Sequence, residues 1–178
     1  TIYGGDGDDT MRGDYGNDAL YGNSGDDLIG GGPGNDNLFG GAGSDILVGH
    51  AGDDVLFGDS GNDLLYGDSD TGDSNSDGGD VLWGGQGDDE LYGRGGDDYL
   101  IGQSGLDILV GGEGADTFVL TSYSAAGSKD TIKDYVDGTD KIGLINIDFD
   151  SLTITQDVNA VDTNIADADG NIIAVLEG

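Results

Sequence analysis

The chain has 178 residues, a formal net charge of −32, 38 glycines, one proline and no cysteine. That charge repels nucleic acid and anionic membrane surfaces, and without cysteine there are neither disulfides nor thiolate metal sites. No apolar run approaches the ~20 residues of a membrane span, no signal peptide opens the sequence, and the acids are 34 Asp against 3 Glu, which points to short carboxylates at fixed turn positions.

Thr1-Ile2-Tyr3 reads as the strand residues of a preceding unit, so the sequence is expected to be a piece of a longer protein. From Gly4 a nine-residue unit then repeats twelve times, opening at Gly4, Gly13, Gly22, Gly31, Gly40, Gly49, Gly58, Gly67, Gly84, Gly93, Gly102 and Gly111. Position four is always Gly. Position six is Asp9, Asp18, Asp27, Asp36, Asp45, Asp54, Asp63, Asp80, Asp89, Asp98, Asp107 and Asp116. Position eight is Met11, Leu20, Ile29, Leu38, Leu47, Leu56, Leu65, Leu82, Leu91, Leu100, Leu109 and Phe118.

The first six residues of a unit are turn-formers, with glycines where the backbone needs positive φ or close approach, and the last three read as a short strand. Three residues make no stable strand alone. Stacked on equivalents two units away they form parallel sheets, with turn, strand, turn and strand closing one 18-residue coil. The pleat points position eight inward and positions seven and nine outward.

Stacking superimposes the turns and brings Asp27 near Asp45 and Asp36 near Asp54. Unneutralised, such columns repel. Calcium takes six to eight hard oxygens at flexible angles and suits a gap lined by aspartates and turn carbonyls from successive layers, whereas magnesium is stricter and zinc wants His or Cys. The candidate ligands are the twelve position-six aspartates, the position-one glycines from Gly4 to Gly102 through their carbonyls, and the position-five aspartates Asp8, Asp26, Asp53, Asp88 and Asp97. Two columns of six turns have room for about ten ions. Aspartates that merely solvate turns are the competing reading, and the unbroken column speaks against it.

This pattern resembles the repeats-in-toxin (RTX) family, whose nonapeptide is GGxGxDxUx. The resemblance covers residues 4–119 and departs mainly at position two, which is Gly in only five units. It implies an all-β fold, a right-handed parallel β-roll over residues 1–119 that is loaded with calcium. It also implies a secreted, extracellular protein of a Gram-negative-type bacterium, exported through a type I apparatus and unfolded until it meets calcium outside. The partners implied are calcium, an upstream domain of the same polypeptide and that secretion apparatus.

Eight extra residues, 70–77, interrupt the eighth unit. They hold Asp73-x-Asn75-x-Asp77-Gly78, the first half of an EF-hand-like loop, but Gly84 stands where its bidentate Glu belongs. A solvated loop is the favoured reading and an extra calcium site on Asp73, Asn75 and Asp77 the other. Position nine of the even units holds Tyr21, Phe39, Phe57, Trp83 and Ile101, a stripe read either as plain β-propensity on a half-exposed face or as a contact surface for self-association or another partner.

After Val119 the glycine period stops. Asp130-x-Ile132-x-Asp134-Tyr135, then Gly138-x-Asp140-x-Ile142, resembles the stretch that follows many RTX rolls, with Tyr where Phe is usual. Leu152 to Gln156 alternates like a strand, and Val161 to Leu176 reads as a hairpin turning at Asp169-Gly170. Residues 120–178 are therefore expected to be a β-rich, secretion-associated cap over the open end of the solenoid. No enzyme is expected, because the sole histidine, His50, lies in a turn without a partner in zincin spacing. Two functions compete: a calcium-dependent folding and secretion module for an upstream cargo, and an extracellular structural or adhesive module.

Overall fold

The computed structural model describes residues 1–69, 77–121, 129–136, 138–145, 153–156, 163–166 and 172–176. Asp73, Asn75, Leu152 and the Asp169-Gly170 turn lie outside these. Through the repeats run β1 (Ile2–Asp6), β2 (Thr10–Arg12), β3 (Ala19–Ser24), β4 (Leu28–Pro33), β5 (Asn37–Ala42), β6 (Ile46–Ala51), β7 (Val55–Ser60), β8 (Leu64–Tyr66), β9 (Val81–Gln86), β10 (Glu90–Gly95), β11 (Tyr99–Ser104), β12 (Ile108–Glu113) and β13 (Thr117–Thr121). Beyond them come β14 (Asp130–Ile132), β15 (Lys141–Ile145), β16 (Thr153–Gln156), β17 (Thr163–Ala166) and β18 (Ile172–Leu176).

Most strands of the roll are six residues long, twice the expected length, because the ladder continues through positions one to three of the next unit. In β6, for example, Leu47 and Gly49 both point inward. Glycine at position one lets the strand go on where the interior has room only for hydrogen, and the turn shrinks to positions four to six.

Odd and even strands separate into two sheets. The first has the order β1-β3-β5-β7-β9-β11-β13-β15, and the second runs from β2 through the even strands to β14 and then β18, β17 and β16. Pairing in the roll is parallel with an 18-residue offset, Leu20 opposite Leu38 and Ile29 opposite Leu47. Across the insertion the offset becomes 26, Leu56 to Leu82 and Leu65 to Leu91, so the register survives the extra residues. The position-eight side chains form one continuous core, fully buried from Leu20 to Phe118. Packing two such files between two sheets is what gives one apolar residue in nine enough burial to matter.

The glycine period ends at Val119, but the parallel ladders continue. Phe118 of β13 pairs with Ile142 of β15, and Leu109 of β12 pairs with Ile132 of β14. Ile132 and Ile142 thus follow the leucines into the inward file, Ile132 fully buried and Ile142 partly. Beyond β14 the second sheet gains β18 in parallel and then β17 and β16 antiparallel, with Ile165 and Ala174 joining the core.

On the outer face of the first sheet the rings form a ladder. Tyr3, Tyr21, Phe39 and Phe57 stack with centroids 4.9, 4.7 and 5.1 Å apart, and Trp83 closes on Phe57 at 5.6 Å with a 56° tilt. Ile101, the last of the stripe, is buried. Such pairs contribute about 0.5–1.5 kcal/mol each beyond burial. Phe39→Ser with Phe57→Ser removes three of them and is expected to cost about 2–4 kcal/mol, read as a lower melting temperature at saturating calcium.

Candidate metal centre

Each turn ends on the position-six aspartate, and its backbone and side chain tie coil to coil. The N–H of Asp27 donates to Asp45 Oδ1 at 2.8 Å, that of Asp45 to Asp63 Oδ1 at 2.9 Å, and that of Asp54 to Asp80 Oδ1 at 2.7 Å across the insertion. Two columns result. One runs Asp9, Asp27, Asp45, Asp63, Asp89, Asp107 and the other Asp18, Asp36, Asp54, Asp80, Asp98, Asp116.

The second carboxylate oxygen is left over. Oδ2 is buried and has no hydrogen-bond partner in Asp9, Asp27, Asp36, Asp45, Asp54, Asp63, Asp80, Asp89, Asp98 and Asp107. Each of these Oδ2 atoms faces the position-one glycine of its own unit, beside a carbonyl in most units. A Cβ on Gly22 would overlap both Asp27 Oδ2 and the carbonyl oxygen of Gly40, and one on Gly58 would meet Asp63 Oδ2 and the Gly84 carbonyl. Glycine at position one therefore leaves a cradle lined by hard oxygens. The position-six aspartates and the position-one glycines, from Gly4, Gly13 and Gly31 through Gly49, Gly67, Gly93 and Gly102, come together at these places.

An orphaned buried carboxylate is costly, and burial pushes most of these groups toward the neutral form. Burial first, and then neighbouring charge, against backbone N–H groups that oppose them, raise Asp54, Asp63 and Asp89 to about 7, Asp98 to about 8 and Asp80 to about 9. Asp45 reaches about 6. Asp36 and Asp116 are also raised, by burial above all.

A hard divalent cation fits this donor set, since every oxygen in it is a carboxylate or a carbonyl. Among the described residues no three acidic or histidine side chains converge on one point, so backbone carbonyls must supply most of any shell. The position-five aspartates are separate. Asp8, Asp26, Asp53, Asp88 and Asp97 are exposed on the rim, where their Oδ1 atoms accept the N–H of Asp26, Ser44, Gly79, Leu106 and Ala115 in the next coil. Their side chains point away from the gap because position five alternates with position six. His50 lies half-buried over Gly30, and burial lowers its pKa.

Two members of the columns escaped the sequence reading. Asp107 N–H reaches Asp130 Oδ1 at 3.4 Å, and Asp116 N–H reaches Asp140 Oδ1 at 3.1 Å. Asp130-x-Ile132 and Asp140-x-Ile142 repeat the position-six and position-eight pair, with Gly138 at position four of the second and no glycine at that position in the first, and that spacing was the available signal. Asp134 caps the same end, accepting from the N–H of Gly111 at 2.9 Å and of Gly112 at 2.8 Å.

The family model of the RTX calcium-binding nonapeptide repeat (4 copies) matches residues 3–38, 30–65, 39–72, 74–109 and 101–120. Among solved structures the chain is similar to a subunit of the mannuronan C5-epimerase of Azotobacter vinelandii, at 30% identity and TM-score 0.41 over 68% of this chain and 75% of that one. It is also similar to the extracellular lipase of Serratia marcescens, at 20% identity and TM-score 0.33 over 98% of this chain and 37% of that one. No curated protein matches it.

Proposed function

The chain belongs to the family of RTX calcium-binding nonapeptide repeats, and from that premise we propose that it is a calcium-folded module of a secreted protein, supporting export and stability of an upstream cargo. The observation that carries the reading is the file of buried, unpartnered Oδ2 atoms facing carbonyl oxygens along both turn columns. Calcium, when bound, supplies positive charge and takes six to eight oxygens. The chain's own residues do the rest. Asp27 and its equivalents hold successive coils together through Oδ1 and offer Oδ2 to the gap, and the position-one glycines keep the gap open.

Without the ion, buried carboxylates repel along each column, and the two files of apolar side chains face that repulsion alone. A module of this kind stays unfolded where calcium is scarce, as inside a cell, and folds where it is plentiful, as outside. About ten ions would fill the columns and lower the net charge from −32 to about −12. On this reading the chain carries out no reaction of its own.

Titrating the purified chain with calcium, with far-UV dichroism and sedimentation followed together, tests the proposal. A steep coil-to-β transition ending in a compact monomer is expected, and an unchanged dichroism spectrum in excess chelator would overturn it. The ring ladder from Tyr3 to Trp83 favours a second reading, an adhesive or self-associating module. If sedimentation shows dimers that Phe39→Ser with Phe57→Ser dissociates, that reading replaces the first.

A further inference from the structure

The eighth unit departs from the others in its backbone. In every other unit positions two and four have positive φ, for example Asp59 at 74° and Gly61 at 134°, whereas neither Asp68 nor Gly78 does. The residues on either side of the insertion thus leave the left-handed path that the other turns follow. At Asp14, Asn23 and Asp59 that path carries the position-two side chain out to the rim, where it is exposed. Asp68 instead turns inward and is 1% exposed.

There it has no partner. Neither carboxylate oxygen of Asp68 makes a hydrogen bond. The N–H groups of Gly78 and Gly95 face it without closing to hydrogen-bond geometry. Its strongest charged neighbour is another carboxylate, Asp77, at the point where the chain returns from the insertion. Asp77 is itself held in place. Its backbone bridges to Gly52, and its Oδ2 occupies the space over Gly95, within 2.7 Å of where a Cβ would stand. The Arg94 guanidinium lies over the Tyr66 ring at 4.5 Å and is the weakest of the influences on Asp68.

A buried carboxylate with a second carboxylate beside it and no hydrogen bond closed on either oxygen is expensive unless a cation closes it. We propose that Asp68 and Asp77 form a separate calcium site beside the insertion. It rests on the calcium-module reading and goes beyond the repeat pattern, because position two, whose side chain is buried in no other unit, here supplies a ligand. It also differs from the EF-hand-like half-loop, since Asp68 lies outside that motif and Asp73 and Asn75 are not required.

Counting bound calcium on the full chain by equilibrium dialysis at saturation tests it, using the wild type, Asp68→Asn, Asp77→Asn and the rim control Asp59→Asn. Asp68→Asn and Asp77→Asn are each expected to lose one ion per chain and Asp59→Asn none, with the far-UV β signal retained in calcium. Wild-type counts in both Asp68→Asn and Asp77→Asn overturn the site. Should Asp68→Asn not fold, the count for Asp77→Asn decides. A wild type that binds no calcium fails the module reading itself, which is a different result from a full wild-type count with unchanged variants.

Discussion

Between pH 7.5 and pH 5 calcium binding by this chain is expected to weaken by several decades, with protons released on binding at neutral pH. An ion takes the deprotonated carboxylate, so each carboxylate a site uses costs about a factor of ten per pH unit below its pKa. Burial has lifted those values to about 7 at Asp54, Asp63 and Asp89 and higher at Asp98 and Asp80. A gap that draws on two such groups loses about two decades per unit.

The ion-free fold has the opposite dependence. A carboxyl whose pKa is raised on folding stabilises the fold fully below the ordinary value of 3.8, and that contribution disappears as the pH climbs through the folded values, from about 6 at Asp45 to about 9 at Asp80. In chelator the chain should therefore be coil at pH 7.5 and gain β structure near pH 4, protons taking over the neutralising role. Calorimetric titrations at pH 5, 6 and 7.5, with dichroism in chelator at each, read both arms. An affinity independent of pH over that range would mean that the buried carboxylates are not the ligands.

Gly22→Ala is expected to remove calcium from its gap and to destabilise the loaded roll by about 2–4 kcal/mol. The new methyl would overlap two atoms that cannot retreat. Asp27 is pinned because its Oδ1 accepts the Asp9 N–H at 2.7 Å, and the Gly40 carbonyl belongs to a strand held in the sheet on both sides. Gly30→Ala is the control. Its nearest atom would be His50 Nε2 at 3.5 Å, and its φ is not positive, so the same substitution eight residues on should be close to neutral. The calcium midpoint of folding and the ion count separate the two variants, and wild-type behaviour in Gly22→Ala would show that position one is not part of the cradle.

The nine-residue period alone was enough to place the leucine file and to pair each unit with the one two places on, because turn chemistry and inward alternation are local properties. Strand length was not legible in the same way. Glycine at position one reads as a turn residue when seen alone, yet between two layers it continues the strand, as Gly49 does in β6. The aromatic stripe was visible as a spacing, but its stacking and the entry of Tyr3 into it depend on strand registry.

What the sequence by itself determined is the coil of two units, the inward file from Met11 to Phe118 and the column of position-six aspartates, since each follows from which residue types recur at which spacing. Tertiary structure decided which oxygens are spoken for. Oδ1 goes to an N–H in the neighbouring coil and Oδ2 is left to the gap. Position-five carboxylates such as Asp26 stay on the rim, Asp68 turns inward beside Asp77, and Asp130 and Asp140 join the columns beyond the last repeat. In each case the deciding partner lies between 9 and 26 residues away along the chain, so only stacking brings it within reach of a hydrogen bond or a charge.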